Sequence, residues 1–418
     1  MSASRVVTVE RFGHGGEGFA RVDGKPVALD GTIPGERVRV ERSEGRWSVV
    51  EVTSTSPSRV APPCPVFDRC GGCAWQHVSA DAQRDARIDA VRRAMPPALR
   101  AVELAYVASP VAYGYRGRAR LHWSSRGGRV SLGFFARGRH DVVDAPGCAV
   151  LAPALSDALA PLRESLASIA RKGELSLALG RGGAPAVSLR PAEDLASAAF
   201  EVPAALVARG FAGAALWAPG ATAPSVAGDP RPVVAGADGE PLVLALDGFS
   251  QGNVALNAAL AKHAVAALQC AGRGVVELYA GAGNFTVLLA RDARRVWAVE
   301  SDAAAVEALR ENVARRGIEN VTAQARAAEA LSGEWAGDHV LLDPPRTGAR
   351  EVCDALVKRP VRRVVYVSCD AQTLGRDLGA LAVEYELESL TAFEMFPQTA
   401  HVEVVAALRR APKKRPAW

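Results

Sequence analysis

Apolar and polar positions alternate in short runs over the first 59 residues. "RVVTVERF", "GFARVDGKPVALDG", "ERVRVERSEG" and "RWSVVEVTS" read as strands with no strong helical period, and Gly-rich turns such as "GHGGEG" separate them. Four or five short strands in about 60 residues predict a small closed barrel. A Pro/Ser linker, "SPSRVAPPCP", follows.

The pattern is mixed from 60 to 240. "ADAQRDARIDAVRRAM" predicts a polar helix, residues 151–170 a second helical stretch, and 203–241, rich in Ala, Gly and Pro, predicts nothing definite. From 241 the rhythm becomes strand–helix–strand. Strands are expected at 274–280, 295–300, 339–344 and 363–369, with amphipathic helices such as 302–316 between them. That rhythm is α/β, a doubly wound parallel sheet. Two late strands, 390–396 and 401–408, predict an antiparallel hairpin at the sheet edge. No internal repeat is evident. The expected domains are 1–59, 60–240 and 241–418.

Nearly half of the 418 residues are apolar, enough for a sizeable core. The longest apolar stretches break well short of a membrane span, and no basic-then-apolar export signal opens the chain. The expectation is a cytoplasmic monomer with no membrane association. Arg outnumbers Lys 44 to 6, which reads as genome composition.

The net charge of +5 alone implies no partner, but its distribution does. Residues 113–140 hold seven Arg and no acid, interleaved with Tyr113, Tyr115, Trp123, Phe134 and Phe135. Guanidinium groups grip phosphates and aromatic faces stack on splayed bases. An exposed Arg-rich hairpin whose aromatics belong to the core fits the same pattern.

Three of seven cysteines fall in "CPVFDRCGGCAWQH": Cys64, Cys70 and Cys73, spaced C-x5-C-x2-C. In a cytosolic chain this density favours metal over disulfides. A fourth ligand is needed for zinc or an iron–sulfur cluster; Cys148 in "DAPGCAVL" is the first candidate and His77 its rival. The x5 spacing is unusual for zinc and favours a [4Fe–4S] cluster. Cys270 and Cys353 read as small core residues.

"VVELYAGAGNFTVLLA" is a strand, Gly281-x-Gly283, then a helix, as a nucleotide-type loop requires. Thr286 stands where a dinucleotide motif needs its third glycine. Glu300, ending the next strand, can accept both ribose hydroxyls of an adenosyl ligand, so S-adenosylmethionine fits at least as well as NAD. "LLDPPRTGA" puts Asp343 at the carboxyl end of the fourth strand, where such sheets bind ligands, before two prolines that stiffen the loop. Cys369 ends the following strand and points into the same crevice.

A thiol beside a methyl donor has a definite use. A thiolate that adds to carbon 6 of uracil makes carbon 5 nucleophilic; a base must then remove the carbon-5 proton so that the thiol leaves. Glu403 lies among valines in "FPQTAHVEVVAAL", where burial raises a carboxyl's pKa, and His401 alternates to the same face.

These residues together resemble the bacterial RNA uracil-5-methyltransferases that make 5-methyluridine. The motifs "FSQGNVALN", "ELYAGAGNFT", "LLDPPRTG", "VSCD" and "FPQTAHVE" stand in that family's order, and the match covers nearly the whole chain. The resemblance implies a TRAM barrel over 1–59 and a mixed α+β central domain holding a [4Fe–4S] cluster on Cys64, Cys70, Cys73 and Cys148. It implies a Rossmann-like class I methyltransferase domain from 241. Cys369 would be the nucleophile and Glu403 the proton acceptor. Gln251, Tyr279, Asn284, Glu300 and Asp343 would contact S-adenosylmethionine, and Phe249 the target base.

One departure stands out. The family usually continues Ser-Cys-Asn-Pro, and here Cys369 is followed by Asp370 and Ala371. An acid beside the thiol should raise its pKa. The expected substrate is ribosomal RNA of the 23S type, since transfer-RNA members are expected to lack the barrel and the cluster. A tRNA uracil-5-methyltransferase, a non-catalytic RNA-binding assembly factor, a cytosine-5-methyltransferase and a dehydrogenase are the alternatives.

Overall fold

The computed structural model describes residues 4–43, 45–331, 333 and 335–412. The ends of the expected first and last domains, 1–3 and 413–418, lie outside the described residues.

Five strands open the chain: β1 (Ser4–Phe12), β2 (Gly18–Val22), β3 (Lys25–Leu29), β4 (Arg37–Ser43) and β5 (Arg46–Ser54). They form one antiparallel sheet in the order β3-β2-β1-β4-β5. Period-two patterning turns Val9, Ala20, Val22, Leu29, Val38 and Val40 inward. The two edge strands β3 and β5 approach each other, which curls the sheet towards the expected barrel.

The next segment contributes α1 (Ala80–Ala94) and β6 (Leu104–Val107), then β7 (Arg118–Arg126), β8 (Arg129–Gly133), α2 (Pro153–Asp157), α3 (Leu159–Leu166), β9 (Lys172–Leu179), β10 (Pro185–Pro191), α4 (Val202–Ala208), β11 (Gly213–Leu216) and β12 (Ser225–Gly228). Its sheet runs β12-β11-β10-β9-β7-β8. One face buries Leu121, Trp123, Leu175, Leu177, Val187 and Leu189 with α3 and α4. A short ladder, β13 (Val233–Ala235) with β14 (Pro241–Val243), leads out. The stretch 203–241, unreadable in sequence, thus holds most of α4, β11, β12 and β13. Its small residues pack well but show no apolar period.

The last sheet is built from β15 (Gly274–Leu278), β16 (Arg295–Glu300), β17 (Val321–Ala325), β18 (His339–Leu342), β19 (Arg363–Ser368), β20 (Tyr385–Phe393) and β21 (Glu403–Arg410). Its order is β17-β16-β15-β18-β19-β21-β20-β6, with β15 to β19 parallel and β21 antiparallel to both neighbours. This is the doubly wound, Rossmann-like arrangement. The helices are α5 (Val254–Leu268), α6 (Thr286–Asp292), α7 (Ala303–Arg315), α8 (Arg350–Lys358) and α9 (Ala371–Leu381). Both faces of β19 are buried: Val364 and Tyr366 pack towards α8 and α9, Val365 and Val367 towards α5.

The late hairpin is present but not at the edge. β21 inserts between β19 and β20, and β6 pairs in parallel with β20 outside it. No local pattern marks this, because β6 comes from far earlier in the chain. α1 follows β6 onto this sheet: Val91 and Met95 join the core beside Leu374 and Leu378. The approach is close enough that a Cβ at Gly375 would meet Ala94 O at 2.0 Å, so glycine is required there. Among the described residues no helix is long and apolar enough to cross a membrane.

Candidate active site

The turn after β15 is tightly coiled. Tyr279 takes φ 60°, Gly281 56° and Gly283 96°, so a non-glycine residue holds a left-handed conformation at the crevice mouth. The Tyr279 hydroxyl donates to Glu329 at 2.6 Å. Gly281 N donates to Glu300 Oε2 at 3.0 Å, and Asp302 N donates to the other oxygen at 2.9 Å, so Glu300 binds the loop to the end of β16. Asn284 and Asn257 exchange amide hydrogen bonds of 2.9 and 3.0 Å. Gln251, Tyr279, Asn284 and Asp343 line one crevice with Phe249, a residue 69% exposed.

Cys369 follows β19 directly, and Ser368 pairs with Val404, which brings Glu403 beside the thiol. Glu403 is buried and its Oε2 has no hydrogen-bond partner. Burial, and then the charge of Asp343, push its carboxyl well above the usual range, against a Gln251 hydrogen bond and Arg346. Burial raises Asp343 to about 7, against the bond that Gln251 Nε2 donates to it at 3.2 Å. The Cys369 thiol is pushed up to about 12, first by burial and then by Glu403; Arg346 pulls it down. A thiol, two reluctant carboxyls and one guanidinium therefore share an electrostatic site bridged by Gln251.

Asp370 is not among the groups that raise the thiol. It is the N-cap of α9: its Oδ1 accepts from Gln372 N and Thr373 N, both at 2.9 Å, and its Oδ2 lies 3.2 Å from His14 Nε2. The carboxylate is turned into the helix start, and burial and Glu403 are the larger causes of the thiol's raised pKa. Ala371 occupies N1, a position proline also favours.

His401, the rival base, is lowered to about 4 by burial and then by Arg346, whose Nη2 lies 3.4 Å from its Nε2. It does not figure among the groups acting on the thiol.

The loop between β20 and Glu403 is held from outside its own sheet. Ala74 N and Trp75 N both donate to Gln398 O at 2.9 Å. Gln83 exchanges hydrogen bonds of 3.0 and 3.1 Å with Gln398, which sits at φ 68°. The wholly buried Arg87 donates to Thr399 O at 2.8 Å and pairs with Glu394 at 2.7 Å. Tyr115 OH donates to Pro397 O at 2.8 Å.

Cys64, Cys70, Cys73 and Cys148 are half-buried free thiols. Each of Cys70, Cys73 and Cys148 is raised mainly by burial and further by other members of the set, Cys73 to about 11. Arg137 fastens their loop by donating to the carbonyls of Phe67, Cys70 and Cys73. Among the described residues no group of three or more His, Cys, Asp or Glu is arranged to hold a metal ion. His77 is buried against Phe67. Of the interleaved aromatics, Tyr115 and Trp123 are core residues, whereas Tyr113, Phe134 and Phe135 are half-exposed.

Glu277 escaped sequence reasoning. It is wholly buried in β15, accepts from Thr286 Oγ1 at 2.6 Å, leaves Oε1 unpartnered and is raised to about 8 by burial. Its signal, an acid inside an apolar strand, is the one that singled out Glu403. Asn257, Arg346, Gln83 and Arg87 carried no local signal.

The model of the tRNA (Uracil-5-)-methyltransferase family matches residues 244–411, and that of the TRAM domain matches 5–54. The 23S rRNA (uracil(1939)-C(5))-methyltransferase RlmD of Halomonas elongata is 37% identical over 98% of this chain and 90% of its own. The Pectobacterium atrosepticum protein of the same name is 34% identical over 96% and 92%. Among solved structures, the Pyrococcus abyssi tRNA (uracil-54, C5)-methyltransferase in complex with S-adenosyl-L-homocysteine shares the fold, with a TM-score of 0.75 at 22% identity over 98% of this chain and 100% of that one. Likeness that runs the length of both chains, barrel and crevice included, leads to one conclusion: the chain belongs to the RNA uracil-5-methyltransferase family.

Proposed function

We propose that this protein transfers a methyl group from S-adenosylmethionine to carbon 5 of a uridine in 23S ribosomal RNA. The observation that carries the reading is the pairing of Cys369 with the buried carboxyl of Glu403, whose Oε2 has no partner. The relatives' names supply the substrate. Three functional units follow: an RNA-holding barrel over 1–59, a middle unit over 60–240, and the catalytic unit from 241.

The crevice fits the methyl donor. Ser250 Oγ and Gln251 Oε1 are buried without partners in its wall, ready for a polar ligand. Gln251, Tyr279, Asn284, Glu300 and Asp343 would hold it; when bound, it supplies an electrophilic methyl group. Phe249 would stack on the target base from the rim.

The chain's residues then divide the reaction. Cys369 adds as thiolate to uracil carbon 6, and electron density moves to carbon 5 and oxygen 4. Arg346 favours the thiolate form of Cys369. After carbon 5 has been methylated, Glu403 takes its proton, the carbon 5–carbon 6 double bond re-forms, and Cys369 leaves. A carboxyl held well above its usual range is a stronger proton acceptor than an ordinary one, whereas burial lowers His401 to about 4 and makes it a weak base. Cytosine is disfavoured, because β18 leads into Asp343-Pro344-Pro345 with no thiol.

Cys64, Cys70, Cys73 and Cys148 would hold a [4Fe–4S] cluster; what supports this is that the four thiols lie near enough to act on one another electrostatically. The cluster would brace the 64–78 loop, whose backbone grips Gln398, and supply no step of the reaction.

Mapping 5-methyluridine in 23S ribosomal RNA and tRNA from cells with and without the gene tests the function. The reading requires one or more ribosomal uridines to lose the methyl group. Loss confined to tRNA would overturn the substrate.

A further inference from the structure

The sheet of β7 to β12 has a second face. Leu121 and Trp123 of β7 point into the core, so Arg118, Arg120 and His122 alternate to the other side. There His122 stacks on Phe135 with ring centroids 3.8 Å apart and planes 13° from parallel. Both rings are half-exposed and line a cleft bounded by loops of the first sheet and by the Cys70–Cys73 loop.

The cleft's charges are divided. Arg120 is exposed and makes no ion pair or side-chain hydrogen bond among the described residues, so it is available to a phosphate. Arg137 is already committed to three carbonyls. Glu17 and Asp30 line the cleft as well; carboxylates repel phosphate but accept hydrogen bonds from a base's amino group. The same face continues to the catalytic crevice. Arg118, two residues from Arg120, donates to Asp247 O at 3.1 Å, and Asp247 precedes the rim residue Phe249.

We propose that this cleft is a second nucleotide subsite: an unpaired base of the substrate RNA, other than the target uridine, stacks on the His122–Phe135 pair while Arg120 holds its phosphate. This rests on the reading of the protein as an RNA methyltransferase, and it makes RNA with a splayed loop the preferred substrate.

The test measures binding of a labelled 23S ribosomal RNA fragment carrying the target loop, and of a fully paired duplex of equal length, at fixed salt. Phe135→Ala weakens fragment binding about tenfold, the size expected for one stacked base. It raises KM with kcat within about twofold and leaves duplex binding unchanged; Phe135→Trp restores affinity. Arg120→Ala lowers the slope of log affinity against log salt by about one. Unchanged fragment affinity in Phe135→Ala, or equal loss for the duplex, overturns the proposal. Should Phe135→Ala melt early, an unchanged salt slope in Arg120→Ala overturns it alone. A wild-type protein that binds the fragment through Phe135 but methylates nothing would sink the functional reading and leave the subsite standing.

Discussion

Gln83 of α1 and Gln398 of the loop before Glu403 lock together. Gln83 Nε2 donates to Gln398 Oε1 at 3.0 Å, and Gln398 N donates to Gln83 Oε1 at 3.1 Å. Both side chains are buried, and Gln398 holds a left-handed φ. The strained conformation of the catalytic loop is thus held by a helix from another part of the chain. Gln83→Ala removes the partner of Gln398 N, Gln398 Oε1 and the Val78 carbonyl, and should cost roughly 1–3 kcal/mol of stability. It should also lower kcat while the Kd for S-adenosylmethionine, read by calorimetry, stays near wild type. A kcat that does not move would show that the loop keeps its shape unaided.

Asp370 caps α9, its carboxylate taken up by the backbone N–H groups of Gln372 and Thr373. Asp370→Asn should therefore leave the pH profile of Cys369 alkylation in place. Asp370→Ala should cost about 0.5–2 kcal/mol in denaturant unfolding, the usual worth of an N-cap.

The charge next to the thiol predicts opposite effects for its two neighbours. Glu403 raises the Cys369 pKa and Arg346 lowers it. Glu403→Gln should shift the alkylation profile to lower pH, and Arg346→Met to higher pH. Iodoacetamide labelling of Cys369, followed by mass spectrometry from pH 7 to 10, reads both.

Three buried acids make stability fall as pH rises, while the buried His77, His339 and His401, each lowered to about 4, make it fall as pH drops below the ordinary histidine range. Glu277 titrates at about 8 and Asp343 at about 7, both raised by burial, and Glu403 is raised as well. The folded state thus binds more protons than the unfolded chain between their unfolded and folded pKa values, so stability falls as pH rises through that window. Tm should fall as pH rises from about 7 to about 8, the window of the raised acids above the ordinary histidine range. Glu277→Gln, which removes the charge but keeps the Thr286 contact, should raise Tm at pH 8–9 by at least ~2 °C and change it little at pH 5.

The sequence made the site legible where chemistry and local pattern coincide. Asp343 and Cys369 each follow an apolar strand, so strand order sent them to one crevice; Glu403 stood out as an acid among valines, and resemblance favoured it over His401. Gln251 came only from resemblance, since the turn before α5 has no pattern of its own. Asp370 could not be placed from sequence, where adjacency suggests contact with the thiol, whereas the helix start takes up its carboxylate. The position of β6, and the grip of Gln83 and Arg87 on the 396–399 loop, join segments far apart in the chain, and no local period encodes them. The aromatics of 113–140 could not be sorted until the pleat of β7 showed Trp123 facing the core and His122 facing out.

The central claim is covalent catalysis by Cys369 with release by Glu403. The most direct measurement incubates Glu403→Gln with S-adenosylmethionine and the 23S ribosomal RNA fragment, then resolves protein and RNA under denaturing conditions. A stable adduct joining Cys369 to a uridine already methylated at carbon 5 is expected, and adding Cys369→Ser abolishes it. Absence of the adduct, or continued turnover by Cys369→Ser, would contradict the account.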